Sequence, residues 1–205
     1  MIALLDYGAG NVRSVQKALE AAGGEVSLVS SPNGMRDAAA VVLPGVGAFD
    51  DCVNAMAQQE LQEGVRKFIG TGRPFLGICV GYQALFERSE EFNSCASGLS
   101  VFDGSVVRFS EQGIKVPQIG WNQVEILKPE CPILKGIEPG SYFYFVHSYF
   151  PQPVDKSIIA TRTTYGDSFA SSVWQDNVFA TQFHPEKSQK LGLQLLRNFV
   201  ALTQD

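Results

Sequence analysis

Residues 74–83 read PFLGICVGYQ. An apolar run from Pro74 delivers Cys79 into a Gly-x-Cys-x-Gly turn, and Gly81 to Phe86 reads as the start of a helix. An apolar run this short, with no polar alternation, suits a strand buried on both faces, and such strands belong to parallel sheets covered by helices. Upstream the same rhythm recurs. Ile2–Leu5, Val26–Val29 and Ala39–Leu43 are short apolar strands. Between the first two, Gly8, Gly10 and Asn11 make a turn with Asn11 as helix cap, and Val12, Val15 and Leu19 recur at helical spacing. Pro32 to Gly34 is a turn, and one helix is expected to carry Val53, Met56, Leu61, Val65 and Phe68.

After about residue 97 the pattern changes to closely spaced strand candidates: FDGSVVRF, KVPQIGWNQVEIL, SYFYFVHSYF, SIIATRTTYG, FASSVWQ and VFATQFHP. This half is antiparallel or mixed, and Leu191, Leu195 and Phe199 close the chain in a helix. The expected class is α/β, with a mainly parallel sheet between helices, in one domain spanning 1–205.

Composition narrows the function. The 205 residues carry a formal charge of −5 and no basic cluster, so nucleic acid is not an expected partner. The opening MIALLDYGAG has no basic leader and too short an apolar run for a signal peptide or membrane span, which points to the cytoplasm. Four scattered cysteines and two histidines give little basis for a metal site.

Cys79 is instead the candidate nucleophile. A sharp turn with small neighbours exposes the sulfur, and the start of the following helix favours thiolate. Cys52, Cys95 and Cys131 lack this setting. A cysteine hydrolase needs a base and a group to orient it. His184, in FHPEK, is the candidate base. Glu186 lies two residues on, which in extended chain is the same side. His147 is the rival base, and Asp6 and Asp167 are the rival acids. The PGVG segment at 44–47 follows an apolar strand, and Gly45 and Gly47 let its backbone turn. An N–H from Val46 together with that of Val80 would then meet an oxyanion. No metal or cofactor is needed for this chemistry.

The segments GICVGYQ, PGVGAF and TQFHPEKS resemble the class I, or triad, glutamine amidotransferases. More narrowly, YGAGNVRSVQKAL, PGVGAFDDC, VPQIGWNQV and YFYFVHSYF are similar to the glutaminase subunits of imidazole glycerol phosphate synthase. The resemblance runs in order along nearly the whole chain. It implies a three-layer α/β/α fold with a mixed central sheet, and an enzyme that takes ammonia from L-glutamine. Cys79, His184 and Glu186 match the family triad. Gln83, Ser148 and Tyr149 match positions that hold the substrate glutamine. The family partner is a (β/α)8-barrel cyclase, on a separate chain here, that uses the ammonia to convert PRFAR to imidazole glycerol phosphate and AICAR. Asn11, Arg13, Trp121, Asn122 and Lys187 match the partner interface. Gln118 and Ile119 stand where the family often has histidine and methionine, and Val80 and Tyr82 where it often has leucine and methionine. Related glutaminases of anthranilate, purine or pyridoxal phosphate synthesis are the rival readings, as are another α/β cysteine hydrolase and a non-catalytic scaffold.

Overall fold

The structure, a computed structural model, describes residues 1–8, 11–110 and 113–203. Its first half is strand and helix in alternation: β1 (Ile2–Leu5), α1 (Val12–Ala21), β2 (Val26–Val29), α2 (Pro32–Met35), β3 (Ala40–Leu43), α3 (Phe49–Gln58), α4 (Leu61–Ile69), β4 (Phe75–Ile78) and α5 (Val80–Gln83). The second half is mostly strand: β5 (Arg88–Ser89), β6 (Gly104–Arg108), β7 (Gln118–Gln123), β8 (Glu125–Ile126), β9 (Tyr142–His147), β10 (Tyr149–Pro153), β11 (Ile159–Tyr165), β12 (Asp167–Gln175) and β13 (Val178–Thr181), before α6 (Gln189–Ala201).

Eight strands form one mixed sheet in the order β2-β1-β3-β4-β13-β12-β11-β8. The first five run parallel and the last three antiparallel. Every residue of β1, β3, β4 and β13 is buried, which is why these strands read as unbroken apolar runs. From β1 the chain steps one way to β2 and then back across β1 to β3. Right-handed crossovers place α1 on one face and the helices that follow on the other. Accordingly α1 packs on α6, while α4 packs on α2 and α3. The reversal opens a crevice at the carboxyl ends of the central strands, where α/β sheets bind ligands. The expected α/β/α class with a mixed sheet is found. Two small sheets, β10-β6-β5 and β7-β9, lie outside the main one.

Several local expectations are corrected. The helix expected to run from Val53 to Phe68 is two, because Glu60 takes a left-handed φ of 58° between α3 and α4. Pro32 does not merely turn the chain; at the first position of α2 its fixed φ suits a short helix. The helix after Cys79 is a single turn. Asn11 occupies the N-cap position of α1 but makes no side-chain capping bond. Gly10, expected in that turn, lies outside the described residues. The two-residue strand β5 had no readable pattern.

Candidate active site

The parallel strands bring their carboxyl ends to one edge. Cys79 follows β4, and the PGVG segment follows β3. His184 lies just past β13, which pairs with β4 in a register that sets Thr181 against Ile78. Cys79 has φ 55° and ψ −109°, outside the conformations ordinary residues prefer. Strain of this kind at a strand-to-helix turn aims a nucleophile away from the sheet. The crowding is mutual. A Cβ at Gly81 would stand 2.1 Å from the Leu43 carbonyl oxygen, and one at Gly45 2.4 Å from the Gly81 nitrogen. The PGVG segment therefore packs backbone to backbone on the cysteine turn. Because the helix after Cys79 is one turn long, its dipole is a weaker support for thiolate than the sequence suggests.

His184 and Glu186 meet as expected, but by a different route. Only His184 is extended. Pro185–Lys187 form a 3₁₀ turn, with proline at its first position. Within it His184 Nδ1 lies 2.8 Å from Glu186 Oε1, and both side chains are closed to solvent. Ser188 fixes the turn: its hydroxyl donates to the His184 carbonyl at 2.6 Å and accepts the Tyr144 N–H at 3.0 Å. Burial pulls the imidazole pKa down. The charge of Cys79 and the close approach of its sulfur, followed by the bond and charge of Glu186, outweigh it and hold the value up at about 10. Nε2 is buried with no partner in hydrogen-bond geometry among the described residues. It is thus the atom open to proton exchange, and such contacts tighten when substrate binds. Neither rival acid takes this place. Asp6 Oδ1 accepts the Gly8 N–H, and Asp167 is exposed on β12.

His147, the rival base, is engaged elsewhere. Its Nδ1 lies 2.8 Å from the Tyr149 carbonyl oxygen and its Nε2 3.0 Å from the Gln118 side-chain amide. Burial pushes its pKa down to about 4, with the charge of His184 adding to the effect against the Tyr149 bond. A neutral ring donates from Nδ1 to the carbonyl, so Nε2 must accept, and the Gln118 amide must turn its NH₂ toward it.

The Val46 and Val80 N–H groups have no hydrogen-bond partner among the described residues, and both residues line the cavity that holds Cys79. Two unengaged amides beside a buried sulfur can stabilise an oxyanion. Gly47 carries a φ of +90°, and Gly45 lies beneath the cavity wall against Val80 and Gly81. Tyr7, which sequence reasoning missed, donates its hydroxyl to the Pro44 carbonyl at 2.7 Å from the end of β1.

The cavity has a volume of about 560 Å³. Of the residues matched to glutamine binding, Gln83, Ser148 and Tyr149 line it, and Gln83 Nε2 donates to the Tyr149 carbonyl at 3.0 Å. Of those matched to a partner interface, Asn11 and Lys187 stand on its wall; Arg13, Trp121 and Asn122 do not. Arg13 donates to Gln16 on the exposed face of α1. Asn122 donates to the Thr164 carbonyl. Trp121 is exposed and meets Tyr144 edge-on, and Lys187 Nζ lies 6.0 Å from the centre of the same ring. Two further residues were missed. Glu91 lines the cavity. Burial raises its pKa, more than the Phe49 N–H it accepts lowers it. Gln182 donates to Cys79 Sγ at 3.6 Å. Its place in TQFHPEK was the available signal; Glu91 sits in a polar stretch with none.

Residues 3–202 match the family described as Glutamine amidotransferase class-I. The chain is 48% identical over 205 residues to "Imidazole glycerol phosphate synthase subunit HisH" of Syntrophotalea carbinolica, covering 97% of this chain and 98% of that one. It is 46% identical to the protein of the same name from Thermosynechococcus vestitus, covering 100% and 98%. For that of Aquifex aeolicus the identity is 49%, covering 96% and 94%. Among solved structures, one titled as a glutamine amidotransferase superposes with a TM-score of 0.77 at 21% identity, covering 100% of this chain and 99% of that one. PurLQS from Thermotoga maritima gives 0.73 at 20%, covering 99% and 96%. At such identities the structural likeness speaks for the fold.

Proposed function

Because the chain belongs to the class I glutamine amidotransferases, we propose that Cys79 is its nucleophile, His184 its base and Glu186 the acid that orients the base. Its relatives within that family carry the name of a subunit of imidazole glycerol phosphate synthase, and glutamine is the substrate this reading assigns. The observation that carries it is the buried His184–Glu186 pair beside a strained Cys79, in one cavity with two unengaged backbone N–H groups.

In this mechanism Cys79 attacks the side-chain amide carbon of glutamine, and the Val46 and Val80 N–H groups receive the oxyanion. The His184 imidazolium gives its proton to the departing nitrogen, so ammonia leaves and a γ-glutamyl thioester remains. His184 then takes a proton from water, which attacks the thioester and releases glutamate and the Cys79 sulfur. Glu91 and Lys187, of opposite charge on the cavity wall, suit the ammonium and carboxylate of an amino acid, with Gln83 and the Ser148–Tyr149 backbone completing the pocket.

A subunit has a partner, and the finer reading is a (β/α)8-barrel cyclase that receives the ammonia and acts on PRFAR in histidine biosynthesis. The outer face of the β7–β9 pair supports a docking surface there. Ile119, Trp121 and Tyr142 are exposed on it, and Val146 on the same face reaches the cavity wall beside Asn11 and Lys187. Exposed apolar side chains gathered at a cavity mouth are a mark of an interface. Among the described residues no helix is long and apolar enough to cross a membrane; a cytoplasmic site of action follows from the proposed pathway.

The test is glutamate release from glutamine by the purified chain alone, with cyclase, and with cyclase plus PRFAR. Stimulation by the last combination is the expected result. Glutaminase activity indifferent to both would move the protein to another pathway, and no release from a verified complex would overturn the reading.

A further inference from the structure

Gln182 is a primary amide with no exposure to solvent at the end of β13. Its polarity is used at both ends. Nε2 donates to Cys79 Sγ at 3.6 Å, a contact whose length reflects the size of sulfur, and Oε1 accepts from Gln83 Nε2 at 3.2 Å. Burying an amide costs free energy unless its hydrogen bonds are made. Packing alone would be served as well by an apolar side chain of the same length.

The surroundings of Cys79 give this donor a task. The one-turn helix α5 supplies little dipole, and a thiolate shut away from water needs compensating partners. His184 is one. We propose that Gln182 is a positioning residue for the reaction, its amide N–H being the second partner that holds the Cys79 sulfur as an oriented thiolate. The same amide ties that sulfur to Gln83, whose Nε2 goes on to the Tyr149 carbonyl, so nucleophile and substrate pocket share one buried hydrogen-bonded chain. The inference rests on Cys79 being the nucleophile.

Other groups face this sulfur. Tyr7 from the end of β1 and Cys52 from α3 act on one side; burial holds the Tyr7 hydroxyl protonated far above the ordinary range and pushes the Cys52 thiol up to about 12. His147, Glu91 and Lys187 stand on the cavity wall, and Glu186 lies behind His184. None of them donates an N–H to the sulfur in hydrogen-bond geometry.

The experiment follows alkylation of Cys79 by iodoacetamide against pH, read by peptide mass spectrometry, with exposed Cys95 as internal reference. Gln182→Met keeps the length and removes the donor. It should raise the midpoint for Cys79 by about one pH unit, the effect of one hydrogen bond to a charged group. Gln182→Glu keeps the acceptor for Gln83 but sets a carboxylate against the thiolate, and should raise it further. Cys95 should not move. Unchanged Cys79 midpoints in both folded variants would overturn the proposal. Should either variant fail to fold, the unsubstituted chain decides by NMR. The Gln182 side-chain amide resonance should shift as Cys79 titrates and stay flat in Cys79→Ala; a flat response in the unsubstituted chain overturns the inference. Neither readout uses glutamine. A shifted midpoint with no glutamate release from a verified complex would sink the proposed function and leave only the Gln182–Cys79 contact, whereas turnover with an unshifted midpoint would overturn this inference and leave the proposed function.

Discussion

Glu186 Oε1 stands 2.8 Å from His184 Nδ1, with the two side chains 1% and 2% exposed. The contact holds a proton on Nδ1 in both states of the ring and leaves Nε2 as the nitrogen that gains or loses one. Glu186→Gln keeps the shape and removes the charge. Turnover of glutamine should fall by about 10²–10⁴-fold with KM little changed, as for an orienting acid in a triad. Steady-state glutamate release checks it, and a loss confined to KM would argue for substrate binding instead.

The two histidines should give opposite dependences of stability on pH. His184 is held up at about 10 from 6.5, so its contribution is complete below pH 6.5 and disappears as pH rises through 10. His147 is pushed down to about 4 from 6.5; the unfolded chain then binds the extra proton first, and stability falls as pH drops from 6.5 through 4. That drop is on the order of 3 kcal/mol for His147. Chemical denaturation across pH should therefore peak between them, and His147→Gln should flatten the acid limb alone.

Gly45 and Gly47 should fail for different reasons. A methyl group at Gly45 meets the Gly81 nitrogen at 2.4 Å, so Gly45→Ala must push the PGVG segment off the cysteine turn. Losing one oxyanion donor costs about 10²–10³-fold in kcat, and that is the expected loss. At Gly47 there is open space but a φ of +90°, and Gly47→Ala should cost roughly 1–2 kcal/mol of local strain. Kinetics and thermal unfolding on both variants separate the two effects.

Tyr7→Phe removes a single hydroxyl and leaves the Pro44 carbonyl buried without its 2.7 Å donor. Stability should fall by about 1–3 kcal/mol. Because Pro44 opens the PGVG segment, kcat should fall with it while KM holds. A variant with unaltered kcat would show that the segment keeps its place through backbone packing alone.

Trp121→Ala trims the exposed β7–β9 face without touching the cavity. If that face docks the partner, the complex should weaken by about 2 kcal/mol, the loss typical of a central aromatic anchor. Calorimetry with the cyclase measures it, and alkylation of Cys79 in the isolated chain should be unaffected. Equal affinity in the variant would move the interface elsewhere.

The parts of this protein that could be read from sequence are those that neighbours along the chain decide. β1, β3, β4 and β13 are buried on both faces, so their apolar runs are visible without a structure. The Gly-x-Cys-x-Gly turn and the HPE run are equally local, and with PGVG they supplied the candidate catalytic centre. Local pattern also marked its own limits. Nothing around Glu60 announced the left-handed residue that splits α3 from α4, since helical spacing continues across it. The turn at Pro185 is not legible either, since a proline after a strand fits extended chain and a 3₁₀ turn alike.

What chain neighbours cannot decide is which distant groups share a site. Gln182 and Cys79 are 103 positions apart, and they meet because β13 adds to β4 in one register of a parallel pair. A slip of one residue would turn β13 side chains to the opposite face. The two histidines are told apart in the same way: both are buried, but His147 is closed by Gln118 and the Tyr149 carbonyl, while His184 Nε2 has no partner in hydrogen-bond geometry among the described residues. The sequence by itself determined the buried central strands, the sharp cysteine turn and the nearness of His184 to Glu186, because each depends on residues adjacent along the backbone. Tertiary structure alone decided that Tyr7 and Glu91 stand by the site and that Gln182 reaches the Cys79 sulfur, because backbone register and close packing set those distances.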